Sequence, residues 1–266
     1  MPPDADATTT PQAVADHPAS HDQLLRRAAA RWGDRTAVEA PSGSLTWAEL
    51  DDAVTRAAAS IRRVAEEGDV VAVALGHDLD LFIAPFVASR AGIRVLPLPP
   101  AAAPSTWTRL LRAADPVAVV ADRAHLAAAT AAGEADHHLV IHADLAWALE
   151  GHVDVDFAVG EGTADVLLVP TPAGGLYAVA SGAVVRAAAA HVAAAAQDVH
   201  ARTRIPGALA GIDVLVTQVT AIALVGGTAV LVDDPIGYPA AGAPAAGAPG
   251  PAGADSLPQH PTAEES

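Results

Sequence analysis

The sequence predicts an α/β protein in which a largely parallel sheet is flanked by helices. Short apolar runs such as VVAVAL (70–75) and VAVVA (117–121) have the length and composition of buried strands. Helix-length segments separate these runs, as in βαβ units. Turn signals such as Gly68-Asp69 and Ala91-Gly92 mark the borders between the two kinds of segment.

The first elements can be justified one by one. HDQLLRRAAARW (21–32) predicts a helix, and TAVEA (36–40) predicts a short strand. Thr46 and Glu49 have the spacing of a capping box, so a second helix is expected from Trp47 to near Glu67. The later elements are expected to be the strand 70–75, a helix from Asp78 to Arg90, the strand IRVLPL, a helix around Ser105–Ala114, the strand 117–121, a strand near His138–His142, an alanine-rich helix over 184–200 and the strand TAVLV.

Composition excludes several functional classes. The 266 residues carry a net charge of −16, and all 15 basic residues are arginine. Such an acidic chain repels nucleic acid and anionic membranes, so neither is expected as a partner. The absence of lysine removes every mechanism that needs a lysine side chain. The absence of cysteine excludes disulfides and thiolate chemistry and favours a reducing compartment, so we expect a cytoplasmic protein.

The chain divides into three parts by composition. Residues 1–20 predict a disordered arm, 21–234 a folded body, and 235–266 a disordered tail rich in proline, alanine and glycine. Deleting the arm and the tail is expected to leave the melting temperature nearly unchanged. The uncharged segment Val214–Val232 is short for a membrane span, and a buried helix, a Gly-Gly turn and a strand explain it better.

Several segments together resemble a known enzyme family. LTWAELDDAVTRAAASIRRV is similar to an "L-T-Y-x-E-L" opening helix, and GDVVAVALGHDLDLFIAPFVASRAGIRVLPLPP to a "G-D-x-V-A" strand, helix, "K-A-G" turn and "Y-V-P-L" strand. LLRAADPVAVVADRAH resembles the helix and strand that come next, and ALVGGTAVLVDD resembles "L-x-x-G-x-x-V-V-L". These motifs belong to the adenylate-forming superfamily of acyl-CoA synthetases, peptide-synthetase adenylation domains and luciferases. The resemblance implies the fold of the first half of that family's large domain.

The resemblance also implies a position for the family's phosphate loop, T-S-G-[ST]-T-G-x-P-K-G. Counted without gaps, Thr171 fills its first hydroxyl position, and Gly174 and Gly175 fill the [ST]-T pair. Departures from the motif that bear on phosphate binding include Pro172, Ala173, Leu176 and Val179. Proline lacks an N–H donor, alanine and leucine carry Cβ atoms where glycine allows close approach, and valine lacks the charge of lysine.

These departures favour a non-catalytic relative that binds no cofactor and acts through protein contacts. We expect a homodimer or a complex with another protein, because the family's second subdomain has no counterpart in this sequence. The alternative is a weak AMP or acyl-adenylate binder, or a ligase-related enzyme, that retains part of the phosphate loop. It would use Thr171, Gly174 and Gly175, with ATP or AMP and Mg²⁺ as its cofactors.

Other side chains with chemical potential have simpler interpretations. His137, His138 and His142 are metal-capable, but His138 and His142 on one strand lie about 13 Å apart. We therefore interpret the histidines as solvated and expect no metal site. Two further groups have similar interpretations. The carboxylates of Asp154 and Asp156 fit an edge strand, and Arg186, near a helix start, fits a surface role or a salt bridge.

Overall fold

The computed structural model describes residues 18–76, 79–99, 102–134, 139–142, 165–171, 175–195, 197–206 and 212–232. Within these residues seven helices and ten strands alternate, which confirms the predicted α/β class. The helices are α1 His21–Trp32, α2 Trp47–Ile61, α3 Leu79–Ala91, α4 Pro104–Ala114, α5 Leu126–Glu134, α6 Ser181–Ala195 and α7 Ile212–Val225. The strands are β1 Thr36–Ala40, β2 Gly43–Thr46, β3 Val70–Ala74, β4 Arg94–Pro97, β5 Ala118–Ala121, β6 Leu139–His142, β7 Asp165–Pro170, β8 Leu176–Ala180, β9 Arg202–Pro206 and β10 Thr228–Val232.

The strands form two sheets. The larger has the order β6-β5-β3-β4-β7-β8, and its neighbours are parallel except for the antiparallel pair β7–β8. The smaller has the order β2-β1-β10-β9, and only the pair β1–β2 is antiparallel. The predicted largely parallel pairing is confirmed, but the sequence predicted one sheet, whereas the described strands form two mixed sheets.

Strand β3 is buried on both faces and separates two apolar cores. Val71 and Val73 face a core that also includes residues of α1, α2, α3 and the smaller sheet. Val70, Ala72 and Ala74 face a second core that includes residues of α4 and α5. Because successive side chains on a strand point to opposite faces, an uninterrupted apolar run is what a doubly covered strand requires.

The capping box predicted from T-x-x-E is present at the start of α2. The Glu49 N–H donates to the Thr46 hydroxyl, and the Thr46 N–H donates to the Glu49 carboxylate at 2.8 Å. These hydrogen bonds hold the pKa of Glu49 below its ordinary value. The helix ends at Ile61 instead of near Glu67, because the chain then folds into successive turns with hydrogen bonds from Arg63 to Ser60 and from Val64 to Ile61.

Ser20, the last residue of the predicted N-terminal arm, takes part in the first helix. Ser20 is fully buried, and its hydroxyl caps α1 by accepting the Gln23 N–H. Residues 1–17 and 233–266 lie outside the described residues, so their disorder stays a prediction.

A buried arginine joins the first three helices. The side chain of Arg90 on α3 has no exposed surface and donates to the carboxylates of Asp22 at 2.5 Å and Asp51 at 2.6 Å. It also donates to the Thr55 hydroxyl at 2.5 Å. A buried charge is tolerated only where ion pairs and hydrogen bonds satisfy it, so this network fixes how α1, α2 and α3 meet.

The uncharged segment near the C-terminal end of the described chain forms a helix, a turn and a strand, as interpreted from the sequence. Helix α7 ends before Gly226, which adopts a positive φ of 68°, and β10 follows at Thr228. None of the helices in the described residues combines the length and the apolar character that crossing a bilayer requires.

Candidate functional site

The candidate phosphate loop connects two strands of the larger sheet. Thr171 directly follows β7, and Gly175 directly precedes β8. Gly174 and its neighbours 172 and 173 lie outside the described residues. The segment LYAVA that follows the loop forms the edge strand β8, which pairs with β7, and helix α6 begins at Ser181.

Thr171 and Gly175 bind each other across the mouth of this hairpin. The Thr171 N–H donates to the Gly175 carbonyl at 2.8 Å, and the Gly175 N–H donates to the Thr171 hydroxyl oxygen at 3.0 Å. The Thr171 hydroxyl in turn lies 3.3 Å from the Gly175 carbonyl oxygen, to which it donates. The described donors of the loop, those of Thr171 and Gly175, are thus engaged within the hairpin.

The residues of β8, which follow the loop, have no charged side chains. Val179 stands where the family motif has lysine, and it is half-buried and packs against the first core. Leu176, which replaces a glycine of the motif, packs against the second core. Both side chains therefore stabilise the hairpin through apolar contacts.

Arg186 lies away from the loop. Strand β8 separates Gly175 from the first residue of α6, a distance of roughly 16 Å along five extended residues. Arg186 lies in the second turn of α6, where its side chain is exposed beside Gly182. This position agrees with the surface role that the sequence suggested.

A second group of polar side chains, which sequence reasoning missed, lies at the carboxyl ends of β3 and β5. The Gly76 N–H donates to one carboxylate oxygen of Asp122 at 2.5 Å. The other oxygen accepts the His125 N–H at 2.9 Å and lies 2.7 Å from the His125 Nδ1 atom. Burial raises the pKa of Asp122, but the hydrogen bonds from Gly76 and His125 outweigh it and hold the pKa below its ordinary value. The only sequence signal was the D-x-x-H spacing after an apolar run.

The topology gives this group its position. From β3 the chain crosses through α3 to β4, and from β5 it crosses through α5 to β6 on the opposite side. Adjacent strands whose connections leave in opposite directions define a switch point, where open α/β sheets commonly bind ligands. Here Asp122 ties the end of β3 to the turn that precedes α5 and orients the His125 ring.

The histidines and the paired aspartates predicted from the sequence lie mostly outside the described residues. His137, His138, Asp154 and Asp156 lie outside the described residues, and only the backbone position of His142, at the end of β6, is described. Among the side chains that the structure does describe, no three metal-capable groups come together.

Comparison with known proteins identifies the family. The model of the AMP-binding enzyme family matches residues 25–165, which is more than half of the chain. This chain belongs to the AMP-binding enzyme family. The matched residues end where β7 begins, so the hairpin loop and all later elements lie outside the match.

Similar proteins share the fold over part of their length. VinN, solved with L-aspartate, superposes with a TM-score of 0.68 at 19% identity, covering 81% of this chain and 57% of VinN. A fatty acyl-CoA synthetase of Mycobacterium tuberculosis has a TM-score of 0.66 at 18% identity, covering 80% of this chain and 45% of that protein. Identities this low show the fold alone.

Two longer proteins are similar in sequence. The phosphinothricin tripeptide synthetase PhsC of Streptomyces viridochromogenes is 41% identical over 91 residues, which are 33% of this chain and 8% of PhsC. Naringenin synthase of Pestalotiopsis fici is 32% identical over 116 residues, or 43% of this chain and 4% of that protein. This chain therefore spans less than a tenth of either relative.

Proposed function

We propose that this chain is a non-catalytic member of the AMP-binding enzyme family that works through protein contacts. The observation that carries the proposal is the closed hairpin: the described donors of Thr171 and Gly175 bond to each other instead of facing a ligand. A phosphate could bind these donors only after their hydrogen bonds within the hairpin were broken. Each broken bond would cost about 1 kcal/mol of binding free energy.

Charge supports the same conclusion. A triphosphate needs cations or metal ions to offset its charge, but this chain has no lysine and a net charge of −16. Val179, at the motif's lysine position, contributes to the core. Little in the described part of the loop would therefore favour ATP over water.

The smaller sheet offers the surface for protein contacts. Strand β9 is its last strand, and no described strand pairs with the outer side of β9. Arg202 and Arg204 are exposed on this strand, and Arg202 pairs with Glu39 at 2.6 Å. An edge strand presents backbone donors and acceptors to a partner. We therefore propose a homodimer, or a complex with another protein, that contacts this edge, and a cytoplasmic location for it.

The alternative function is weak binding of AMP or an acyl-adenylate by the same loop. It is favoured by the presence of one motif hydroxyl, Thr171, and of two glycines, Gly174 and Gly175, at neighbouring positions of the motif. It requires that a ligand displace the hydrogen bonds that close the hairpin.

One set of measurements separates the two functions. Calorimetry with ATP·Mg²⁺, AMP and an acyl-adenylate mimic should give no binding heat, and ATP-dependent pyrophosphate exchange should be absent with any carboxylic acid. A catalytic member of the family serves as the positive control. Binding heat that Thr171→Ala abolishes would establish the alternative, and exchange by a contaminant-free preparation would overturn the proposal.

Light scattering at micromolar concentration tests the contacts. We expect a dimer or a copurifying partner, and Arg204→Glu should weaken the association, whereas Arg63→Glu, at an exposed site in the turn after α2, should leave it unchanged. A monomer without a copurifying protein would remove this part of the proposal.

A further inference from the structure

A groove between α1, α6 and α7 has no part in the proposed function. It has a volume of about 350 Å³, near the lower end of the range for small-molecule sites. Its walls are apolar: Trp32 comes from the end of α1, Ala189 and Val192 from α6, and Leu224 from the last turn of α7. These elements are held together by the first core, so the groove is part of the folded body.

One rim of the groove is positively charged. Arg27 and Arg31 are one turn apart on α1, and both side chains are exposed. The Arg31 guanidinium lies over the Trp32 ring, 5.0 Å from its centroid, a contact that favours its position at the mouth of the groove. The described residues that line the groove include these two cations and no carboxylate, in a chain whose net charge is −16. The positive charge at this rim, in a chain whose net charge is negative, favours an anionic ligand.

We propose that the groove binds a small amphiphilic anion. Its alkyl chain would lie between Trp32 and the apolar side chains of α6 and α7, where burial of apolar surface contributes the affinity. Its head group would bind at Arg27 and Arg31, because guanidinium forks match the oxygens of a carboxylate or a sulfate. Both head groups share this chemistry, and the experiment distinguishes them.

The test uses the full chain and three probes with the same alkyl length: decanoate, decyl sulfate and the neutral decanol. Each is titrated below its micellar concentration, with binding followed by calorimetry and by the fluorescence of Trp32. Trp32→Phe identifies the part of the signal that comes from the groove, because the difference between the two proteins removes the contribution of the other three tryptophans, Trp47, Trp107 and Trp147. Saturable binding of an anionic probe, tighter than that of decanol, is expected, and the tighter of the two anions identifies the head group.

Two variants and their controls locate the site. Arg31→Glu should weaken anion binding about tenfold and leave decanol unchanged. Arg63→Glu, an exposed arginine outside the groove, should have no effect. Ala189→Trp should fill the groove and abolish binding of all three probes, whereas Ala190→Trp, on the exposed face of α6, should not.

Three results would overturn the proposal. The first is the absence of saturable binding of either anion. The second is equal loss of affinity for decanoate and decanol in Arg31→Glu, which would refute the role of charge. The third is unchanged binding in Ala189→Trp, which would place the ligand elsewhere. None of these outcomes depends on nucleotide binding or on the association of β9.

Discussion

Acidification should destabilise this fold through one buried histidine. His21, at the start of α1, is fully buried, and its Nε2 atom lies 2.9 Å from the Thr220 hydroxyl oxygen. That hydroxyl donates its own hydrogen to the Val216 carbonyl at 2.6 Å, so it accepts from an Nε2–H group. The Nδ1 atom lies 2.6 Å from the Ser181 hydroxyl and accepts from it, while the same hydroxyl oxygen accepts the His21 backbone N–H at 2.8 Å. Every hydrogen bond of the cluster is therefore satisfied by a neutral ring.

The cost of protonation follows from this geometry. A second ring proton would point at Ser181 and leave the serine hydroxyl hydrogen without its acceptor, at a site where both side chains are buried. Burial lowers the pKa of His21 from 6.5 to about 4. Between pH 6.5 and pH 4 the unfolded chain takes up a proton at His21 that the native protein does not. The contribution of neutral His21 to the free energy of unfolding is therefore fully present above pH 6.5 and is lost as the pH falls toward 4. The shift corresponds to a loss of about 3 kcal/mol.

Urea unfolding at pH 7.5, 6.0, 5.0 and 4.5 measures this loss. His21→Gln keeps a donor for Thr220 but cannot titrate, so its free energy of unfolding should be lower at pH 7.5 and should fall less steeply on acidification. Other groups that titrate contribute equally to both proteins and cancel in the difference between them. His191→Gln, at an exposed position of α6, should show the wild-type slope. Equal slopes for wild type and His21→Gln would refute the reasoning.

Two further predictions concern a glycine in a turn and the residues before α1. Gly226→Ala should destabilise the protein by more than about 2 kcal/mol, because a Cβ there would lie 2.2 Å from the Trp32 ring at a φ of +68°. Gly68→Ala, at a φ of +86° in open space, should cost only about 1 kcal/mol of backbone strain, and equal losses in urea unfolding would contradict this explanation. Removing residues 1–17 should leave the melting temperature within about one degree, whereas removing Ser20 as well should lower it by several degrees through loss of the α1 cap. Equal melting temperatures for the two truncations would contradict the role of this cap.

Local signals in the sequence were sufficient for most of the fold. The capping box at Thr46 and Glu49 predicted the start of α2, and the apolar runs predicted β3 and β5 because strands covered on both faces need apolar side chains at every position. Strands at the edges of the sheets were harder to predict. Strand β9, RTRIP, carries two exposed arginines, and it is held in the sheet by pairing with β10. The paired residues Arg202 and Thr228 are 26 positions apart in the sequence.

The candidate sites were less predictable, because they depend on contacts between distant segments. Nothing near Asp122 in the sequence indicates that its carboxylate binds the N–H of Gly76, 46 residues earlier. The His21 cluster likewise joins segments that are 160 and 199 residues apart. Residue types indicate which groups could take part in such contacts, but only the packing of helices and strands decides which groups meet.

The hairpin loop shows how residue chemistry and packing act together. In the alignment that the family resemblance implies, Val179 takes the place of the motif lysine and brings no charge. The structure adds that Val179 packs against the first core and that Thr171 and Gly175 close the mouth of the hairpin. Returning a lysine to position 179 would remove an apolar contact and place an ammonium group beside the core without freeing either donor. Under the proposed function, phosphate binding would require concerted changes in the loop, in its charge and in the packing of β8, which is why we propose that the protein works through contact surfaces.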